Sequence, residues 1–406
     1  SLLGVTRVDQ LERLTLKPEE ADSVLLEPAR EAIRATLDEV RAVRERIEAT
    51  DAVDIREVEE KAASLALAEA RTAALRTVGD LVVGAAVEET AGKGKATTIV
   101  EAAAEEICAA LLADSDAERD ALIARIEARA GDALMVGRAP GDPDPPKPFH
   151  WVLEFPEVFE RDGGGFDAIV GNPPFLGGKK VSGVVGTNYR EYVVNYVASR
   201  QRGNADLVAY FFLRASRLVR VNATFGLVAT NSIGQGESRR VSLERLQQIG
   251  WTIYRAVKSR QWPGEAVLHV SHVWAQHDGS ERTHVVLDDR PVRRITPSLE
   301  PAGRVEGSPR TLSANHGIAH YGCIINGHFD MQPDEAAAMV NAEPRNAEVV
   351  RPYLIAKDLT ERPDQSVSRW AVDFSDMDLD VASSYLEPME YVRRHVLPWR
   401  ETLENK

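Results

Sequence analysis

The sequence predicts an α-helical region, then an α/β domain on a mainly parallel sheet, then the opening of a mixed α+β region. Three observations carry this expectation. Residues 17–131 are dominated by Ala, Glu, Arg and Leu, with apolar positions at helical spacing, as in Ala29, Ile33, Leu37, Val40, Val43 and Ile47. From residue 151 short apolar runs alternate with helical stretches, the order that builds strand–helix–strand units. From about Asp288 onward Pro and Gly interrupt any single period. The boundaries read as 1–137 for the helical region, 138–150 for a Pro-rich linker, 151–287 for the α/β half and 288–406 for the last region.

Within the first region three or four amphipathic helices are expected. Pro28 suits the first turn of the earliest long one, and the stretch from Asp51 to Ile55 ends it. Leu81–Ala86 is apolar enough for a strand, but its Ala-rich flanks favour a buried helix. Ala91–Thr97 holds Gly-Lys pairs without the spacing of a phosphate loop and reads as a turn. After the linker, Phe166–Val170 reads as a strand, Asp206–Arg220 as a helix, Phe225–Thr230 as a strand and Ser238–Ile249 as a helix. Trp251–Val257 and Val267–Gln276 read as two further strands. A helix near Asp334–Asn341 and a strand at Trp370–Phe374 follow.

The composition is ordinary for a soluble protein, with 44% hydrophobic and 28% charged residues among 406. No apolar run reaches spanning length and the N-terminus lacks a signal-peptide layout, so a cytoplasmic protein with no membrane partner is expected. Cys108 and Cys323 are too few for a disulfide framework. A net charge of −14 argues against a generally phosphate-binding surface, so any nucleic-acid contact must use a local basic patch.

The most informative stretch is Phe166-Asp167-Ala168-Ile169-Val170-Gly171-Asn172-Pro173-Pro174-Phe175. A short apolar run delivers an amide, two prolines and an aromatic ring to its own C-terminal end, where open α/β sheets bind ligands. The prolines fix φ and withhold N–H donors, so carbonyl oxygens are left for a ligand. Asn172 adds a side-chain acceptor and Phe175 a flat face. Together they suit a planar base with an exocyclic amino group. Asp144-Pro145-Pro146-Lys147 has the prolines without the ring or the strand, and reads as linker.

This tetrad resembles the catalytic motif of methyltransferases that act on adenine N6 in DNA with S-adenosylmethionine as donor. The likeness continues through Asp206-Leu207-Val208-Ala209-Tyr210-Phe211-Phe212, Gly226-Leu227-Val228-Ala229-Thr230-Asn231-Ser232, Arg239, and Arg255-Ala256-Val257-Lys258-Ser259-Arg260-Gln261-Trp262-Pro263-Gly264. In wording and order these are similar to the large gamma-class bacterial methylases, MmeI-like enzymes among them, that join methylation to restriction or phage defence. Arg351-Pro352-Tyr353-Leu354 through Ser368-Arg369-Trp370 looks like the start of their target-recognition region. The resemblance implies the second half of a class I methyltransferase sheet, site-specific DNA methylation and double-stranded DNA as partner. It implies that Asn172 and Pro173 accept from the amino group, that Pro174 shapes the turn and that Phe175 stacks on a flipped base. RNA or a protein glutamine would present a similar nitrogen, and the recognition-like C-terminus favours DNA.

The departure from that family is in the cofactor half. Its Gly-rich strand-to-helix turn and the following ribose-binding acid are not found: Gly163-Gly164-Gly165 precedes a strand, and Gly234-Gln235-Gly236 is followed by Glu237. Asn172 and Asp206 are the remaining candidates to touch the cofactor, with Asp206 and Asn231 equally suited to capping. The expectation is a central fragment, inactive alone, whose partner is a polypeptide carrying the cofactor half or a nuclease subunit. The strand Phe166–Val170 is then expected to leave an apolar edge. The alternative is a non-catalytic subunit that binds DNA or a partner methylase.

Basic residues near the tetrad are the DNA-contact candidates. Lys179, Lys180 and Arg190, with Arg200 and Arg202, punctuate a loop holding Tyr189, Tyr192 and Tyr196. The tyrosines either face a base and its phosphates or pack beneath the loop. Arg255, Lys258, Arg260 and Trp262 form a second basic-aromatic cluster after a strand. His316, His320, Cys323 and His328 match no common zinc spacing, and no metal site is expected.

Overall fold

A computed structural model describes residues 26–404 apart from 52, 97–98, 100–102, 264–267, 278–283, 304–311 and 316–324. The chain divides into two compact units, Ser1–Gly307 and Ser308–Lys406.

The first unit opens with helices α1 (Leu26–Ala49), α2 (Ile55–Thr90), α3 (Ala104–Leu112) and α4 (Asp116–Met135). Their starts follow local chemistry. Asp54 accepts from the amides of Arg56 and Glu57 while Glu57 reaches back, a capping box, and Ser115 accepts from Glu118 to begin α4. Ile33 and Leu37 of α1 meet Leu75, Val78 and Leu81 of α2 and Leu122 and Ile126 of α4 in one core. A β-carbon on Gly84 would lie 2.7 Å from that of Ala133, so its bare backbone is what lets α2 and α4 cross closely. Leu81–Ala86 is helical, as its flanks indicated.

Strand β1 (Phe166–Gly171) is followed by α5 (Gly178–Val185), α6 (Thr187–Tyr192) and a π turn at Val193–Val197. Helix α7 (Leu207–Leu218) leads directly into β2 (Val219–Thr230). Helix α8 begins as Gly236–Arg239, widens to a π turn over Arg240–Glu244 and closes as Arg245–Gln248. Then come β3 (Trp251–Gln261), β4 (His269–His277), β5 (Val285–Leu287) and β6 (Arg290–Val292).

The six strands run in the order β1-β2-β4-β3-β5-β6. The sheet is mixed, which corrects the expectation of a mainly parallel one: β1–β2 and β3–β5 are parallel, whereas β2–β4, β3–β4 and β5–β6 are antiparallel. The cause is the connection after β3, too short to hold a crossover helix, so β4 turns back and inserts between β2 and β3. The core face carries Phe225, Leu227, Ile253, Ala256, Val273 and Ala275 against α7 and α8. Val83, Ala86 and Val87 of α2 and Leu134 of α4 enter the same core, so the helices and the sheet share one interior.

Strand β1 is outermost, with no strand on its far side among the described residues. Its beginning is covered, because Trp151, Phe155 and Phe159 set their rings at 5.4 to 5.8 Å from that of Phe166. Toward its end Val170 is 86% exposed.

The second unit has a three-stranded antiparallel sheet in the order β7-β9-β8, from Asp330–Met331, Arg369–Val372 and Val350–Tyr353. Helices α9 (Pro333–Ala342) and α10 (Leu386–His395) accompany it, and Met331, Ala336, Val350, Val372 and Tyr385 form its core. Among the described residues no helix is long and apolar enough to cross a membrane.

Candidate functional site

Gly171 pairs with Leu227 as the last ladder residue of β1, and the chain then leaves the sheet through Asn172, Pro173, Pro174 and Phe175. Asn172 is exposed, and its side chain makes no hydrogen bond to the described residues. Pro173 is buried beneath it and Phe175 is half-buried. An exposed amide, a buried proline, an exposed proline and a half-buried ring thus follow one another there. Each stands at the carboxyl end of β1, next to the carboxyl end of its parallel neighbour β2.

Asp206 is 6% exposed, and its oxygens turn into the protein. Oδ1 accepts the amide of Val208 at 3.1 Å, which caps α7, and also the amide of Leu176 at 3.1 Å. Oδ2 accepts the hydroxyl of Thr230 at 3.3 Å at the end of β2. The backbone closes a second connection, as the amide of Leu207 donates to the carbonyl of Leu176 at 2.9 Å. The amide of Asp206 itself donates to Ser238 Oγ at 2.9 Å. Of the two sequence readings, ligand contact or cap, this geometry is a cap with additional partners. Sequence reasoning missed Thr230, Ser238 and Leu176, because nothing in spacing reveals which chain segments a buried carboxylate will join. Asn231 is exposed at the start of a short 3-10 turn after β2.

The basic candidates separate by their partners. Lys179 and Lys180 are exposed on α5 with no ion pair among the described residues, and Arg260 is likewise exposed near the end of β3. Arg190 instead pairs with Glu191 at 3.1 Å and donates to the carbonyl of Gly203 at 3.2 Å, a bracing role. Arg202 also pairs with Glu191, at 2.9 Å. Arg255 lies 5.4 Å over the Trp274 ring and pairs with Asp289 at 3.3 Å, and Lys258 pairs with Glu300. Trp262 is half-buried, its amide donating to the carbonyl of Leu268 at 2.9 Å, while Gly264 of the same turn lies outside the described residues.

Tyr189 and Tyr192, which the sequence placed on a loop, stand on α6, with Tyr196 in the π turn after it, and they mostly pack underneath. Tyr192 is buried and stacked on Tyr196, and burial pushes the Tyr189 hydroxyl up to about 12. Tyr196 donates to Glu89 of α2 at 2.7 Å, tying that helix to this π turn. Burial and the nearby Arg260 charge both lower the His272 pKa, so its imidazole favours the neutral form. His316, His320 and Cys323 lie outside the described residues, and no three His, Cys, Asp or Glu among the described residues stand where they would hold a metal.

Of the glycine runs weighed for a cofactor, Gly164, Gly165 and Gly234 are used for close packing, whereas Gly163 and Gly236 face open space. β-Carbons at Gly164 and Gly165 would lie 2.1 Å from the Phe159 carbonyl and 2.7 Å from the Arg220 amide, at the opposite end of β1 from the tetrad. One at Gly234 would lie 3.2 Å from the Ser298 carbonyl.

Residues 131–248 match the family model described as Eco57I restriction-modification methylase. The chain is 27% identical over 197 residues to DNA methyltransferase A of Bacillus subtilis (strain 168), an alignment covering 46% of this chain and 21% of that protein. It is similar to the solved structure of the Type IIL restriction-modification enzyme MmeI in complex with DNA, at 19% identity and a TM-score of 0.42, over 66% of this chain and 38% of that one. The alignment thus spans about a fifth of the length of the curated relative.

Proposed function

We propose, from the match of residues 131–248 to the Eco57I restriction-modification methylase family, that this chain supplies the target-base side of a DNA adenine-N6 methyltransferase in restriction-modification or phage defence. The observation that carries the reading is Asn172, exposed at the mouth of β1 with its amide uncommitted, between a buried Pro173 and a half-open Phe175. A flipped adenine stacks on Phe175 and donates its two amino hydrogens to the Asn172 side-chain oxygen and the Pro173 carbonyl. Both acceptors draw the hydrogens toward them and raise electron density on the nitrogen, which would attack the methyl carbon of a sulfonium donor as its C–S bond breaks to leave a neutral thioether, one amino proton then passing to solvent. The reaction needs orientation of two partners, with no nucleophile from the protein.

S-adenosylmethionine is the donor that such chemistry takes. The described residues do not fit it: Asp206 is turned inward, and in the turn from β1 into α5 Gly178 is closed against the Asn204 carbonyl, where a β-carbon would lie 2.1 Å away. The same misfit favours a second reading, in which the chain is a non-catalytic subunit binding DNA or a partner methylase.

Labelled-methyl transfer to duplex DNA by the full-length protein separates the two. Asn172→Ala and Phe175→Ala are expected to lower turnover at least a hundredfold while DNA affinity stays within a few-fold, because most affinity comes from phosphate contacts elsewhere. Near-normal turnover in Asn172→Ala would refute the assignment, and no transfer by the unmutated protein would favour the second reading.

A further inference from the structure

We propose that Asp206 is the positioning residue of the Asn172–Phe175 loop, a buried carboxylate that sets where the amide and the ring stand; this rests on the methylase reading above. A helix cap by itself needs one oxygen for one or two amides, and Ser or Thr provides it. Asp206 serves three donors from three segments: Val208 in its own helix, Leu176 behind the tetrad and Thr230 at the end of β2. Two oxygens with four lone-pair sites can do this, and a hydroxyl cannot. The three hydrogen bonds and the N-terminus of α7 compensate a charge that is costly to bury alone.

The loop's own chemistry explains why an anchor is needed there. Pro173 and Pro174 have no N–H, so between the last ladder pair at Gly171 and the amide of Leu176 only Asn172 and Phe175 have backbone donors. The prolines hold φ but donate no hydrogen bond that could tether the loop. Position is set at its two ends, by the β1–β2 ladder on one side and by Asp206 on the other. The Asp206 end is bound in both directions, because Leu176 donates to Oδ1 and accepts from the amide of Leu207 at 2.9 Å. Phe175 is the immediate neighbour of that clamp. Since displacement of a reacting group by about 1 Å can reduce rate on the order of a hundredfold, a loosened Leu176 acts on turnover before it acts on DNA binding.

The test combines amide hydrogen exchange with methyl-transfer kinetics on the full-length protein. Asp206→Ala is expected to speed Leu176 exchange at least tenfold and to lower kcat at least tenfold at unchanged KM for DNA. Asp206→Asn keeps Oδ1 for both amides and presents an amide donor to the Thr230 hydroxyl, so it should restore protection and kcat to within about threefold. If Asp206→Ala does not fold, Asp206→Ser decides, because its hydroxyl still caps Val208 within the same turn but, one bond closer to the backbone, falls short of the Leu176 amide. Unchanged Leu176 exchange in a folded Ala or Ser variant refutes the proposal. Exchange behaving as expected in a protein that transfers no methyl leaves the clamp standing and removes the methylase reading instead.

Discussion

A β-carbon on Gly178 would stand 2.1 Å from the carbonyl oxygen of Asn204. No side chain fits there, so the chain leaving the tetrad meets the segment entering Asp206 backbone to backbone. Gly178→Ala must push the two apart, and overpacking of this kind costs about 1–3 kcal/mol. Chemical denaturation is expected to show that loss in the midpoint at unchanged slope, accompanied by faster exchange at Leu176. An unaltered midpoint would mean that residues 203–205 yield freely, and that this contact does not hold the loop.

At the other end of β1, Asp167 accepts from Arg161 at 2.8 Å and from Arg220 at 2.6 Å, and these hydrogen bonds hold its carboxyl at about 2 against an ordinary 3.8. A folded-state value below the unfolded one contributes stability that is fully present above pH 3.8 and is lost as pH falls through about 2. The carboxylate is solvent-exposed, so the gain is screened by salt. Titration of the Asp167 carboxyl by NMR is expected to give the low value, returning toward 3.8 in Arg161→Ala and part of the way in Arg220→Ala. A midpoint near 3.8 in the unmutated chain would show that the pair does not form in solution.

How far the sequence reaches can be judged from particular elements. The tetrad at the mouth of β1 was legible because prolines, an amide and a ring follow an apolar run within one local segment. Strands β1 to β4 and helices α7 and α8 were legible from period for the same local reason, with α7 placed to within two residues at either end, whereas α5 and α6 read as a loop and the three-residue strands β5 and β6 were too short to show a period. The antiparallel insertion of β4 was not, since strand order depends on pairing partners distant in sequence. Asp206 was recognisable as a cap from the residue after it, but Leu176 lies 30 residues before it and Thr230 24 residues after it, and no periodicity links them. The ion pairs of Arg255 with Asp289 and Lys258 with Glu300 were hidden by the same separation.

The free edge of β1 has a testable consequence. Val170 is 86% exposed and the strand has an unpaired side among the described residues. Such an edge pairs with another chain when it can. The isolated 406-residue chain is therefore expected to self-associate, and Val170→Lys to shift it toward monomer in sedimentation velocity. Equal association of the two proteins would place the contact on another surface.

The basic candidates make opposite predictions for DNA. Where a cation already has a carboxylate partner, moving it to a phosphate exchanges one ion pair for another and releases little counterion free energy; an unpaired cation gains the full release. Lys179→Ala, Lys180→Ala and Arg260→Ala, whose side chains are exposed and unpaired among the described residues, should each weaken duplex binding and reduce the slope of log K against log salt by about one. Lys258→Ala, whose ammonium is held by Glu300, should leave that slope nearly unchanged. Arg190→Ala should act through folding, because its guanidinium braces Glu191 and the Gly203 carbonyl. Filter-binding titrations of the full-length protein across a salt series distinguish these cases. A slope lowered equally by Lys258→Ala and Lys179→Ala would show that the pair with Glu300 opens on DNA and that exposure, not pairing, decides which cations engage phosphate.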